Sequence, residues 1–117
     1  MYGKVVLATQ APYCTTKHAL NGLTKVVAQE VGTLGITVNA LCPGGILTDI
    51  MQEQGPAAAE QLGLSFEDFL TMMQAPSAIK RMNTVEDCAL VAVLLASEAG
   101  AGITGSLISI DGGQSPY

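Results

Sequence analysis

The chain has 117 residues, of which 49% are apolar, and a formal net charge of −5 at neutral pH. That apolar share excludes a disordered polymer, no uninterrupted apolar run approaches the ~18 residues that span a bilayer, and no basic, hydrophobic leader opens the sequence. The acidic balance argues against nucleic acid or an anionic membrane as partner, since both reward Lys and Arg.

Taken in chain order, Lys4–Thr9 (KVVLAT) reads as a buried strand. A long helix is expected over Tyr13–Val31, with Leu20, Leu23, Val27 and Val31 as its apolar stripe, widened by Ala19 and Val26, and Gly32 and Gly35 as its end. Ile36–Cys42 predicts a second strand, stopped by Pro43-Gly44-Gly45. Thr48–Ala78 is mixed, with a break at Gly55-Pro56 and a short helix capped by Ser65 that carries Phe66, Phe69, Leu70 and Met73. A further helix runs over Val85–Ala99, capped by Thr84 and closed by Gly100. Ser106–Ile110 is the last strand, ended by Asp111-Gly112-Gly113. Apolar strands alternating with helices predict an α/β fold of about three parallel strands with covering helices, in one domain.

Cys14, Cys42 and Cys88 are odd in number and form no CxxC. They read as small buried hydrophobes in a reducing cytoplasm, and with His18 as the only histidine no metal site is expected. Tyr13 and Lys17, one helical turn apart, share a face. A free phenol has a pKa of ~10, too high for easy proton shuttling near neutrality. A neighbouring ammonium and the positive end of a helix both favour the phenolate. A shift of about three units requires ~4 kcal/mol, more than a half-solvated lysine supplies alone. By spacing alone, a surface tyrosine beside a solvated lysine stays open.

The segment Tyr13-Cys-Thr-Thr-Lys17-His-Ala-Leu-Asn-Gly-Leu-Thr-Lys25 resembles the active-site helix of the short-chain dehydrogenase/reductase family. The strand and turn Val38-Asn39-Ala40-Leu41-Cys42-Pro43-Gly44-Gly45-Ile46-Leu47-Thr48 follow the same pattern, as do Lys80-Arg81, Glu86-Asp87, Leu94-Leu95-Ala96-Ser97, Ile103-Thr104-Gly105 and Ile110-Asp111-Gly112-Gly113. The resemblance implies the second half of a doubly wound, Rossmann-like sheet. It implies an NAD(P)-dependent oxidoreductase of a small alcohol or carbonyl, with Tyr13 as general acid/base. Lys17 would favour the Tyr13 phenolate and bind the nicotinamide ribose. Pro43, Gly44, Gly45, Ile46 and Thr48 would form the cofactor-facing turn. Residues 49–78 would form a substrate lid, with Met51, Phe66, Phe69, Met72 and Met73 as lining or, alternatively, as core.

Parts of that pattern are not found. There is no Gly-rich turn after an opening strand to seat a pyrophosphate. The one literal GxGxxG, Gly100-Ala-Gly102-Ile-Thr-Gly105, precedes a strand instead of following one and reads as a connector. No residue reads the adenosine ribose, so NAD and NADP are not distinguished. Thr9 is the only hydroxyl near the place of the family's serine, and it is too close along the chain to reach over Tyr13. The family's helical asparagine is also missing. A non-catalytic oligomerising or ligand-binding module therefore stays open beside the enzyme. The apolar edge of the first strand predicts a homo-oligomer, a two-fold dimer, or a complementing first-half chain.

Overall fold

The computed structural model describes residues 1–6 and 8–115. It is an α/β fold built on one parallel pair of strands. Helix α1 (Ala11–Val31) is followed by a 3-10 turn at Gly32–Leu34 and by strand β1 (Ala40–Pro43). Helices α2 (Asp49–Gln61), α3 (Phe66–Gln74) and α4 (Val85–Leu95) come next, and strand β2 (Leu107–Ile110) closes the order. Among the described residues no helix is long and apolar enough to cross a membrane. All three cysteines are free thiols, with Cys14 and Cys42 buried. Burial, then the Asp87 carboxylate, push the Cys88 thiol up.

β1 and β2 pair in register from Ala40 opposite Leu107 to Pro43 opposite Ile110. The ladder starts at residue 40, not 36 as expected, because the preceding residues are held by side chains. Asn39 donates its carboxamide to the Ile103 carbonyl at 2.7 Å and accepts the Ser106 N–H at 3.1 Å. Thr104 accepts the Val38 N–H at 3.0 Å. The Gly44 N–H continues the ladder to the Ile110 carbonyl at 3.0 Å.

Lys4–Thr9 is not a strand, so the sheet has two strands among the described residues and not about three. Leu7, inside that expected strand, lies outside the described residues. The chain instead turns at once, with Lys4 N–H on the Met1 carbonyl at 2.7 Å. The cause is the connection. A parallel strand ending at Thr9 leaves one residue before α1, whereas strand-to-helix links ordinarily take about 2–6 residues. The strain of that link shows at Thr9, the one non-glycine with positive φ (71°) among the described residues.

The expected break at Gly55-Pro56 is also overturned, since α2 runs through both residues. Thr48 caps it, accepting the Met51 N–H at 3.3 Å. Gly55 serves packing within the continuous helix. A β-carbon there would collide with the Phe66 ring, so α3 packs directly on the α2 backbone. Ser65 caps α3 as the sequence suggests, by accepting the Asp68 N–H. Thr84 and Asp87 form a reciprocal capping box on α4, which ends at Leu95 and not Ala99.

The core is thin: its buried hydrophobic members are Cys14, Ala28, Cys42 and Ala59. On α1 the inward residues are Cys14, Lys17, Asn21, Thr24, Val27, Ala28 and Val31. Of the expected stripe, Val27 and Val31 are half-buried, whereas Leu20, Leu23 and the flanking Ala19 and Val26 are exposed. Leu90 and Val93 on α4 are likewise 73% and 68% exposed. The whole chain shows 7546 Å² to solvent, where a compact monomer of this mass shows about 6,000 Å². Its radius of gyration is 16.2 Å, against about 13 Å for a compact domain of this length.

Candidate active site

α1 starts without a side-chain cap at Gln10, with Pro12 in its first turn. Tyr13 and Lys17 therefore sit in the first two turns, where backbone N–H groups and the helix dipole favour negative charge. The Lys17 ammonium lies 5.3 Å from the centre of the Tyr13 ring. Asn21 continues the same face one turn later.

These three side chains form one wall of a cleft of about 410 Å³. The opposite wall is β1 and the turn that leaves it, Pro43-Gly44-Gly45. Tyr13 is 46% exposed and Lys17 is half-buried. Met73 of α3 reaches the same cleft, whereas Met51, Phe66, Phe69 and Met72 do not line it. Residues 1–3 lie across the cleft. The Tyr2 ring meets the Tyr13 ring edge-on at 5.7 Å. The Gly3 carbonyl accepts the Asn21 carboxamide at 2.7 Å. The Met1 amino group donates to the Pro43 carbonyl at 2.8 Å, and its burial lowers its pKa from the ordinary value.

The turn is crowded on the side away from the cleft, rigidly at Gly44 and against a flexible methionine end at Gly45. A β-carbon on Gly44 would lie 2.8 Å from both Cα and Cβ of Asp111, and one on Gly45 would lie 2.9 Å from the Met82 methyl. Gly44 and Gly45, having no side chains, contribute only backbone to the cleft wall. Ile46 and Thr48 do not line the cleft. Ile46 forms a parallel bridge to Asn83, and Thr48 caps α2. The structure thus brings Tyr13, Lys17, Pro43, Gly44 and Gly45 together and sets Ile46 and Thr48 behind them.

Asp111 anchors the far side of the turn. It is buried and accepts hydrogen bonds from the Gly113 N–H at 3.1 Å, the Ser115 N–H at 3.0 Å and the Ser115 hydroxyl. Burial works to raise its pKa, but those donors outweigh it and hold the carboxyl below the ordinary value. In the sequence Asp111 stands out as a strand end and as part of the closing family pattern, while Asn21 and Asn83 carry no assigned role. Asn21 was findable, because its spacing from Lys17 puts it on the reacting face.

The family model described as enoyl-(acyl carrier protein) reductase matches residues 1–115. A D-beta-hydroxybutyrate dehydrogenase of Rhizobium meliloti (strain 1021) is 39% identical over 113 residues, covering 96% of this chain and 44% of that protein. A short chain dehydrogenase family protein from Francisella tularensis superposes with a TM-score of 0.92 at 26% identity, over 99% of this chain and 48% of the other. An actinorhodin polyketide ketoreductase, solved as its F189W variant with NADPH, superposes with a TM-score of 0.88 at 29% identity, over 98% and 44%. The chain spans less than half the length of each.

Proposed function

Because this chain belongs to the short-chain dehydrogenase/reductase family, we propose that it carries the proton-transfer and nicotinamide-facing part of an NAD(P)-dependent oxidoreductase acting on a small alcohol or carbonyl. The observation that carries this reading is the convergence of Tyr13, Lys17 and the Pro43-Gly44-Gly45 turn on one cleft, at the carboxyl end of a parallel strand.

The residues present fit the nicotinamide end of such a cofactor. The glycine turn offers bare backbone, and the cleft wall offers an ammonium. Among the described residues Lys17 is the one charged side chain lining the cleft, which supports an anionic or electron-rich ligand there. Bound nicotinamide would supply hydride exchange. The chain's own part is the proton: the Tyr13 hydroxyl gives it to a substrate carbonyl oxygen, or takes it from a hydroxyl. Lys17 places positive charge beside that oxygen as negative charge develops there. α2 and α3, within residues 49–78, would form the lid, with Met73 as its contribution to the cleft.

The outward Leu20, Leu23 and Val26 and the α4 pair Leu90 and Val93 support a partner for these faces. The roughly 1,500 Å² of surface beyond that of a compact monomer would suffice for a standard interface, which takes about 800 Å² per partner. That partner is a second copy or a complementing first half. The same excess favours the second reading, a non-catalytic oligomerising or ligand-binding module derived from this family.

Titration with NADH and NADPH, followed by cofactor fluorescence, separates the two. Micromolar binding of either, with oxidoreductase activity lost in Tyr13→Phe while circular dichroism stays unchanged, supports the enzyme. Millimolar or absent binding together with an oligomer in light scattering supports the second reading. A monodisperse monomer at micromolar concentration removes the second copy as that partner and leaves the complementing first half.

A further inference from the structure

Asn83 belongs to no helix or strand, yet it is only 8% exposed. Every polar group it carries whose partner is known turns toward one place. Its N–H donates to the Gly45 carbonyl at 3.0 Å, and its carboxamide nitrogen donates to the same oxygen at 3.4 Å. Its carbonyl accepts the Leu47 N–H at 3.4 Å. The carboxamide nitrogen also lies 3.1 Å from where a β-carbon of Gly44 would stand, so it fills the space behind that glycine. The residues around Asn83 fix it in turn. Thr84 N–H donates to the Asp87 carboxylate at 2.9 Å, and Arg81 grips both oxygens of Asp87 at 2.6 and 3.1 Å.

We propose that the Asn83 side chain is a positioning residue: it holds the Gly44–Leu47 turn at the depth at which its backbone can meet a ligand in the Tyr13 cleft. The inference deepens the proposed function and rests on it for the identity of that ligand, a nicotinamide dinucleotide. The main-chain bonds of residue 83 form with any side chain. What asparagine adds is a second donor on the Gly45 oxygen and a volume beneath Gly44. Without them the turn is tethered at its ends and free to sag between.

The test has two independent readouts on the full chain. Asn83→Ala should speed amide hydrogen exchange at Leu47 and Gly44, with exchange in β2 and α4 unchanged. It should weaken NADH or NADPH binding about fivefold, the scale of one net hydrogen bond. Asn83→Asp keeps the shape but sets an acceptor against the Gly45 oxygen. It should bind more weakly than wild type at pH 7 and approach it at about pH 4–5, as the buried carboxyl gains a proton and becomes a donor. The titratable neighbours are Asp111 behind Gly44 and the Arg81–Asp87 pair. All are present in both proteins, so the ratio of variant to wild type isolates residue 83.

Unchanged exchange at Leu47 in both variants overturns the positioning role whatever the cofactor does. Exchange that rises across the whole chain also overturns it, in favour of a merely structural part. If wild type binds neither dinucleotide while exchange rises only at the turn, the positioning stands and the nicotinamide reading falls. If Asn83→Ala does not fold, Asn83→Asp decides.

Discussion

Gly44 and Asp111 touch backbone to backbone: a single methyl on Gly44 would stand 2.8 Å from the Asp111 Cα. Asp111 cannot step aside, because its carboxylate is tied to Ser115 and Gly113 and its neighbour Ile110 receives the Gly44 N–H. Gly44→Ala should therefore force the two strand ends apart and destabilise the chain by about 1–3 kcal/mol, the range for overpacking. Urea denaturation reads this directly. Gly22→Ala, whose β-carbon meets nothing within 4 Å, serves as the control and should not destabilise.

Pro56 predicts the opposite sign. It stands inside α2, is exposed, and withholds the N–H that would bond the Gln52 carbonyl. Pro56→Ala should stabilise the chain by up to about 3 kcal/mol, the propensity difference at a helix interior. A thermal midpoint unchanged or lowered in Pro56→Ala would show that the proline fits its site without strain.

Acid should loosen the turn that follows β2. The Asp111 carboxyl is held below its ordinary 3.8 in the folded chain, so unfolding raises its proton affinity. Its contribution is complete above the unfolded value and disappears as pH falls through the lower folded one. Asp111→Asn should be less stable than wild type at pH 7, by about 1–3 kcal/mol for hydrogen bonds to a charged group. The two stabilities should converge as pH falls past the ordinary carboxyl value and through the lower folded one. Asp87 behaves likewise at the surface. The Arg81 guanidinium first, then the Thr84 N–H, hold it to about 2, and added salt should weaken its part.

Thr84→Ala removes the side-chain oxygen that accepts the Asp87 N–H. The cost should be about 1 kcal/mol, with Thr84→Ser restoring most of it. Because Thr84 follows Asn83 directly, the alanine variant should also speed exchange at Leu47. Loss of stability without that local effect would separate the α4 cap from the turn.

Local signals carried most of what could be read beforehand. Thr84, Ser65 and Gly35 sit where capping and left-handed chemistry require, and β2 begins within one residue of its expected start. The α/β class and the shared face of Tyr13 and Lys17 followed from periodicity and spacing. What failed was tertiary. KVVLAT has every local mark of a strand, but β-propensity cannot state whether a neighbouring strand exists or whether the link to α1 is long enough. Gly55-Pro56 spells a break by local preference, yet α2 runs through it, with Gly55 buried against the Phe66 ring. Of the periodic α1 stripe Val27 and Val31 do turn inward, but Leu20 and Leu23 stay in water, because the sheet takes the adjacent, more polar line through Lys17, Asn21 and Thr24. Asn83 left no periodic trace, because its partners are main-chain atoms some 38 residues away.

The surplus of wetted surface has a calorimetric consequence. Heat capacity and denaturant sensitivity both scale with the area that unfolding newly exposes. A compact chain of this length would show an increment of about 1.4–1.8 kcal/mol/K. With so many leucines and valines already in water, the isolated polypeptide should fall short of that and melt over a broad interval. Whatever covers α1 and α4 should sharpen the transition as well as raise its midpoint.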